Sequence, residues 1–149
     1  MESQESATMS FQPLYTAVAT VVSGREGFGE TSDGNVQVNF ALPKEMGGPG
    51  KPGTTNPEQL FALGYASCFG QALRVITAKQ QIKVGEVKVT SHVTIGKTDA
   101  GGFALNAELH CHLPGVDHAA AEKLVEAAHQ ICPYSNATRG NIDVKLVVE

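Results

Sequence analysis

The chain has 149 residues, of which 42% are apolar and 17% charged, and a formal net charge of −4. It is long enough for one core of ordinary size and too apolar to be disordered. Its acidic balance, with no cluster of Lys or Arg, excludes a nucleic-acid face.

In chain order, residues 1–13 read as a flexible polar tail and residues 14–149 as a single domain. The tail lacks the basic and apolar parts of a secretion signal, and no apolar run reaches the ~20 residues of a membrane helix. Residues 14–22, Ala-rich and β-branched, predict a strand that the loop Ser23-Gly24-Arg25-Glu26-Gly27 breaks. Val36, Val38, Phe40 and Leu42 alternate with polar neighbours, the pattern of a half-buried strand. Residues 44–55 form a Gly/Pro-rich connector. Its Gly50-Lys51 is not a phosphate loop, because Pro52 stands where Ser or Thr is required. Gly24, Gly27 and Gly29 lack the spacing of a dinucleotide site.

Asn56-Pro57-Glu58-Gln59 is a helix start, with Asn as cap and Pro at the first position. The helix runs to about residue 80, with Phe61, Tyr65, Cys68, Ala72 and Val75 on one stripe. Small residues elsewhere on it predict burial on most sides. Two alternating runs around Val87–Ile95 and Phe103–Leu113 predict an antiparallel hairpin. A second helix covers residues 117–131, its stripe Ala121, Val125, Ala128 and Cys132 facing the core. A last strand over residues 142–148 completes an α+β chain.

Three cysteines are too few and too odd in number for a disulfide-stapled secreted domain, so the cytoplasm is the expected compartment. Cys68 and Cys132 both face the core from helices, where they can meet. A buried cysteine is ordinarily a small core residue, and Cys111 keeps that reading. A thiol in apolar surroundings stays inert unless a positive group stabilises its thiolate, and Arg25 is the placed candidate. Together these residues point to thiol redox chemistry on an apolar substrate. Taken singly, Arg25 reads as a solvated loop charge and Glu58 as a carboxylate favouring the helix dipole. Arg74 and Arg139 read as surface or packing residues. His110 and His112 share an outward strand face, but no third ligand is visible, so no metal is assigned.

Five blocks now carry a resemblance: Leu14-Tyr15-Thr16-Ala17, Ser23-Gly24-Arg25-Glu26-Gly27, Thr55-Asn56-Pro57-Glu58-Gln59-Leu60-Phe61-Ala62, Gly64-Tyr65-Ala66-Ser67-Cys68-Phe69 and Cys132-Pro133-Tyr134-Ser135-Asn136-Ala137. In this order they resemble the Ohr/OsmC family, and the Cys-Pro-Tyr-Ser block favours its Ohr branch. The resemblance implies antiparallel sheets around two central helices and an intertwined homodimer with shared active sites. It implies a thiol peroxidase that reduces organic hydroperoxides to alcohols, with no cofactor. Cys68 would be the peroxidatic nucleophile and Cys132 the resolving thiol. Arg25 and Glu58 would position and activate, and a lipoyl-type dithiol would re-reduce the Cys68–Cys132 disulfide.

Helix geometry adds an expectation. Glu58 and Cys68, ten residues apart, would lie about 15 Å apart along one helix, so Glu58, and with it Arg25, is expected to reach Cys68 from a partner chain. Phe61, Tyr65, Phe69 and Phe103 are expected to enclose an alkyl chain. Two rival readings stand: an OsmC-type peroxidase of broader peroxide scope, and a non-enzymatic module that binds an apolar ligand.

Overall fold

In the computed structural model, which describes residues 10–149, the chain divides after Thr55 into two units. Residues 1–9, most of the expected tail, lie outside the described residues.

The first unit is a four-stranded sheet in the order β1-β2-β3-β4, with β1 at Ala19–Val22, β2 at Phe28–Thr31, β3 at Gln37–Phe40 and β4 at Thr54–Thr55. The strand expected over residues 14–22 contracts to β1, and all four of its residues are exposed. The β1–β2 connection is a 3-10 turn, Gly24–Glu26, entered through two left-handed residues, Ser23 (φ 64°) and Gly24 (φ 54°). At its exit Gly27 has no room for a side chain, since a Cβ there would collide with the Val22 carbonyl oxygen. The turn carrying Arg25 is therefore tight, and Arg25 is half-buried. The Gly/Pro connector holds a short 3-10 helix, Lys44–Met46, before β4.

The second unit, Asn56–Glu149, opens with α1 (Pro57–Lys79). Asn56 caps it as expected, its side chain accepting a hydrogen bond from the Gln59 backbone N–H at 2.8 Å. The hairpin follows as β5 (Lys88–Lys97) and β6 (Phe103–His112), antiparallel in unbroken register from Lys88↔His112 to Lys97↔Phe103. Then come α2 (His118–Ile131), α3 (Pro133–Thr138) and β7 (Val144–Val148). Antiparallel sheets were expected, but each sheet ends in a parallel pair, β3 with β4 and β6 with β7. In the second sheet the cause is the helical crossover through α2 and α3, which returns the chain to the end of the sheet from which β6 started.

The core of the second unit joins Tyr65, Phe69 and Leu73 of α1 to Leu109 and Cys111 of β6 and to Leu124, Val125 and Ala128 of α2. By length and composition α1 could cross a membrane, yet these three of its side chains are fully buried in that core. Nor is α1 buried on most sides: Leu63 is 69% exposed and Val75 44%. Among the described residues of the second unit, one flank of α1 meets the sheet and α2. Cys68 lies at the edge of that flank, half-buried.

Candidate active site

Pro133 builds the second half of the site. Proline disfavours helical backbone in the residue before it and suits the first position of a helix. Cys132 accordingly takes an extended conformation (φ −66°, ψ 124°), ending α2 and starting α3 at one residue. Its side chain is fully buried against α1. The Cys132 thiol donates to Cys68 Sγ, with the sulfurs 3.5 Å apart and both cysteines free. The two thiols that were expected to meet do meet, 64 residues apart in the chain.

Burial pushes the Cys68 thiol up from its ordinary range, and the adjacent Cys132 adds to the shift. Against these, the Tyr134 backbone N–H donates to Cys68 and favours its thiolate. The net direction is upward, so within the second unit the environment favours the thiol over the thiolate. Cys111 is further from reactivity: burial, and secondly the charge of Glu149, push it up to about 12. It is a core residue of β6, as its strand position implied.

A cleft of about 810 Å³ is lined by Phe61, Phe103, Leu105, Tyr134, Ala137 and Ile142 among others; neither cysteine lines it, but Pro133 and Tyr134 of its wall directly follow Cys132. Phe61 and Phe103 are in the wall as expected. Tyr65 and Phe69 are not, because both are fully buried in the core with no surface to offer. Tyr134 supplies what sequence reading left out of the wall, its ring 6.0 Å from Phe61 and 5.7 Å from Tyr65. A larger groove of about 1040 Å³ lies on a different face of α1, around Ser67, Gln71 and Arg74. The smaller cleft, with its aromatic wall and the two residues that follow Cys132, is the better candidate for an apolar substrate.

Beneath α3 lies a polar cluster that sequence reading did not find. The Tyr65 hydroxyl is 2.8 Å from Ser135 Oγ and 3.1 Å from Thr138 Oγ1. Ser135 Oγ is also 2.9 Å from His129 Nδ1. Burial lowers the His129 pKa; Glu126 opposes the shift and Arg139 reinforces it. Arg139 bridges the α2–α3 junction, donating through Nη1 to the His129 carbonyl at 2.9 Å and through Nη2 to Asn136 Oδ1 at 3.3 Å.

Glu58 is half-buried in the first turn of α1, and Arg25 lies in the turn of the first unit. Because α1 is unbroken from Pro57 to Lys79, Glu58 and Cys68 remain about 15 Å apart along its axis. On the outer face of the hairpin both ring nitrogens of His110 are engaged, Nε2 with Glu108 at 2.8 Å and Nδ1 with Glu149 at 3.2 Å. Among the described residues no three His, Cys, Asp or Glu side chains are grouped to hold a metal ion.

Residues 48–147 match the OsmC-like protein family model. The organic hydroperoxide resistance protein of Xanthomonas axonopodis pv. citri is 51% identical over 136 residues, 91% of this chain and 94% of the relative. Among solved structures, an organic hydroperoxide resistance protein OsmC from Legionella pneumophila superposes with a TM-score of 0.88 at 48% identity, covering 93% of this chain and 99% of that one. A second, from Elizabethkingia anophelis, gives 0.89 at 47% identity with coverages of 93% and 99%.

Proposed function

The chain belongs to the OsmC-like protein family, and on that footing we propose that it is a thiol peroxidase that reduces organic hydroperoxides to alcohols. The observation that carries the reading is the 3.5 Å approach of Cys68 and Cys132, with an apolar cleft walled in part by Pro133 and Tyr134, the residues after Cys132. The relatives named organic hydroperoxide resistance proteins support the same substrate class.

In the first step the Cys68 thiolate attacks the distal oxygen of the hydroperoxide. The O–O bond breaks, Cys68 becomes a sulfenic acid, and the departing alkoxide takes a proton to become the alcohol. Cys132 then attacks the sulfenic sulfur: the S–O bond breaks, the disulfide forms, and water leaves. A disulfide needs its sulfurs at about 2.05 Å, so closure moves them together by about 1.5 Å from their 3.5 Å contact.

Since burial, with Cys132 adding to it, holds the Cys68 thiol up, the first step needs a cation at the sulfur. Arg25 takes that part: its guanidinium stays charged and can donate two bonds at once. Glu58 holds the Arg25 fork as a bidentate partner. The helical distance between Glu58 and Cys68 favours a homodimer in which these groups reach the partner's sulfur. A lipoyl-type dithiol returns the disulfide to two thiols by exchange.

The cleft sets the preference. Burying an alkyl tail contributes about 0.8 kcal/mol per CH₂, an advantage that hydrogen peroxide cannot have. Bulky hydroperoxides should therefore react faster than hydrogen peroxide, and equal rate constants would favour an OsmC-type enzyme of broader scope. The deciding experiment is a thiol count after one equivalent of tert-butyl hydroperoxide. The parent should lose two thiols, Cys68→Ser none, and Cys132→Ser one, as a trappable sulfenic acid. Retention of all thiols in the parent would make the cleft a binding site for an apolar ligand and end the peroxidase reading.

A further inference from the structure

The buried cluster under α3 is built in register with the thiol pair. Tyr65 and Cys68 are three residues apart on α1, on one side of the helix. Cys132 and Ser135 are likewise three apart, at the start of α3. Tyr65 meets Ser135 at 2.8 Å, and Cys68 meets Cys132 at 3.5 Å. They are two adjacent rungs of one ladder between α1 and α3.

Counting hydrogens gives the cluster one direction. Each hydroxyl carries one proton, and a carbonyl can only accept. Thr138 donates to the Ser135 carbonyl at 3.2 Å. Tyr65 must then donate to Thr138, and Ser135 to Tyr65. The fourth contact is closed only if His129 Nδ1 carries a proton and donates to Ser135. With that tautomer every hydroxyl is satisfied, although Tyr65 and Ser135 are wholly shut off from solvent. The chain of bonds ties α2, α3 and α1 together around Cys132.

We propose that Tyr65 and Ser135, backed by His129, are positioning residues for the resolving thiol. They fix α3 on α1 so that Cys132 captures the Cys68 sulfenic acid before a second hydroperoxide does. The inference rests on Cys68 and Cys132 being the redox pair. Two reactions compete for the sulfenic acid. Attack by Cys132 forms the S–S bond and releases water, while a second hydroperoxide transfers another oxygen, giving sulfinic acid and a second alcohol. Freeing α3 lowers the effective concentration of Cys132 at that sulfur more than it disturbs the first attack, which depends on α3 only through the Tyr134 N–H and the cleft wall.

The test uses full-length Ser135→Ala and Tyr65→Phe proteins and tert-butyl hydroperoxide. Stopped-flow rates report the first step, intact mass the ratio of sulfinic acid to disulfide, and equilibration with a dithiol buffer the disulfide's reduction potential. Both variants should slow the first step far less than they slow resolution. Each should raise the sulfinic-to-disulfide ratio about tenfold, the scale of one lost buried hydrogen bond, with a disulfide correspondingly easier to reduce. His129→Asn keeps a donor near the Nδ1 position and should retain the parental ratio, whereas His129→Leu should behave as Ser135→Ala. Parental ratios and potentials in folded Ser135→Ala and Tyr65→Phe would overturn the proposal, as would an equal slowing of both steps. If either variant fails to fold, the other and the His129 pair decide. Failure of the underlying reading looks different, since the parent itself would then lose no thiols.

Discussion

At the level of single residues, His129 is where charge and burial conflict most openly. Its folded pKa is depressed from 6.5, chiefly by burial, so the folded chain prefers the neutral ring while the unfolded chain takes up a proton more readily. The stability it supplies is therefore complete above about pH 6.5 and is lost as pH falls through the lower folded value. Thermal melts from pH 7.5 downward should show the parent losing stability below pH 6.5, with His129→Asn, which cannot titrate, showing a flatter profile. Parallel profiles would remove His129 as the source. Neither His129 nor Tyr65 could be read this way from the chain alone. Cys68 and Cys132 stood out because each sits in a recognisable block on an apolar stripe. The Tyr65–Ser135 bond spans 70 residues and leaves no local pattern. Tyr65 looked like a pocket wall because an aromatic on that stripe resembles one; its hydroxyl has buried partners instead.

Among the elements, α1 was legible because three signals agree on it: the Asn56 cap, Pro57 at the first position and the helical stripe. The short helix α3 was not, because Pro133 after an apolar helix reads as a stop, while the same residue is also a good first helical position. The parallel pairing of β7 with β6 was equally hidden, since alternation shows which face of a strand is buried but not which strand lies beside it. Where α1 meets α3, Gly64 leaves room for Tyr134: a Cβ there would stand 2.7 Å from Tyr134 Oη. Gly64→Ala would gain up to about 1 kcal/mol of helix propensity. It would also push the Tyr134 ring, the far end of a side chain, away from its place in the cleft wall. The two effects should nearly offset in stability and diverge in activity. Melting temperatures should be close to parental, while selectivity for bulky over small hydroperoxides falls. A parental selectivity would show that the Tyr134 ring does not shape the cleft.

For the whole molecule, the proposed homodimer has candidate surfaces in each unit. In the first unit Phe11 is 82% exposed, Leu14 98% and Tyr15 83%, and in the second Leu63 of α1 is 69% exposed. Large exposed apolar side chains such as these are candidates for interaction surfaces on each unit. The helix adds a chemical reason for pairing. Ten residues of unbroken α1 separate Glu58 from Cys68, so Glu58 does not approach the sulfur along its own helix. Two inactive variants, Glu58→Ala and Cys68→Ser, separate the possibilities when they are co-refolded. If Glu58 serves its own chain, the mixture stays dead, because no chain carries both groups. If it serves the partner, each mixed dimer regains one complete site. Statistical mixing makes half the dimers mixed, so about a quarter of the parental rate should return. Leu63→Lys in the parent should weaken the dimer in sedimentation and reduce turnover in parallel. A monomeric parent, or a mixture without activity, would place Glu58 outside the shared site.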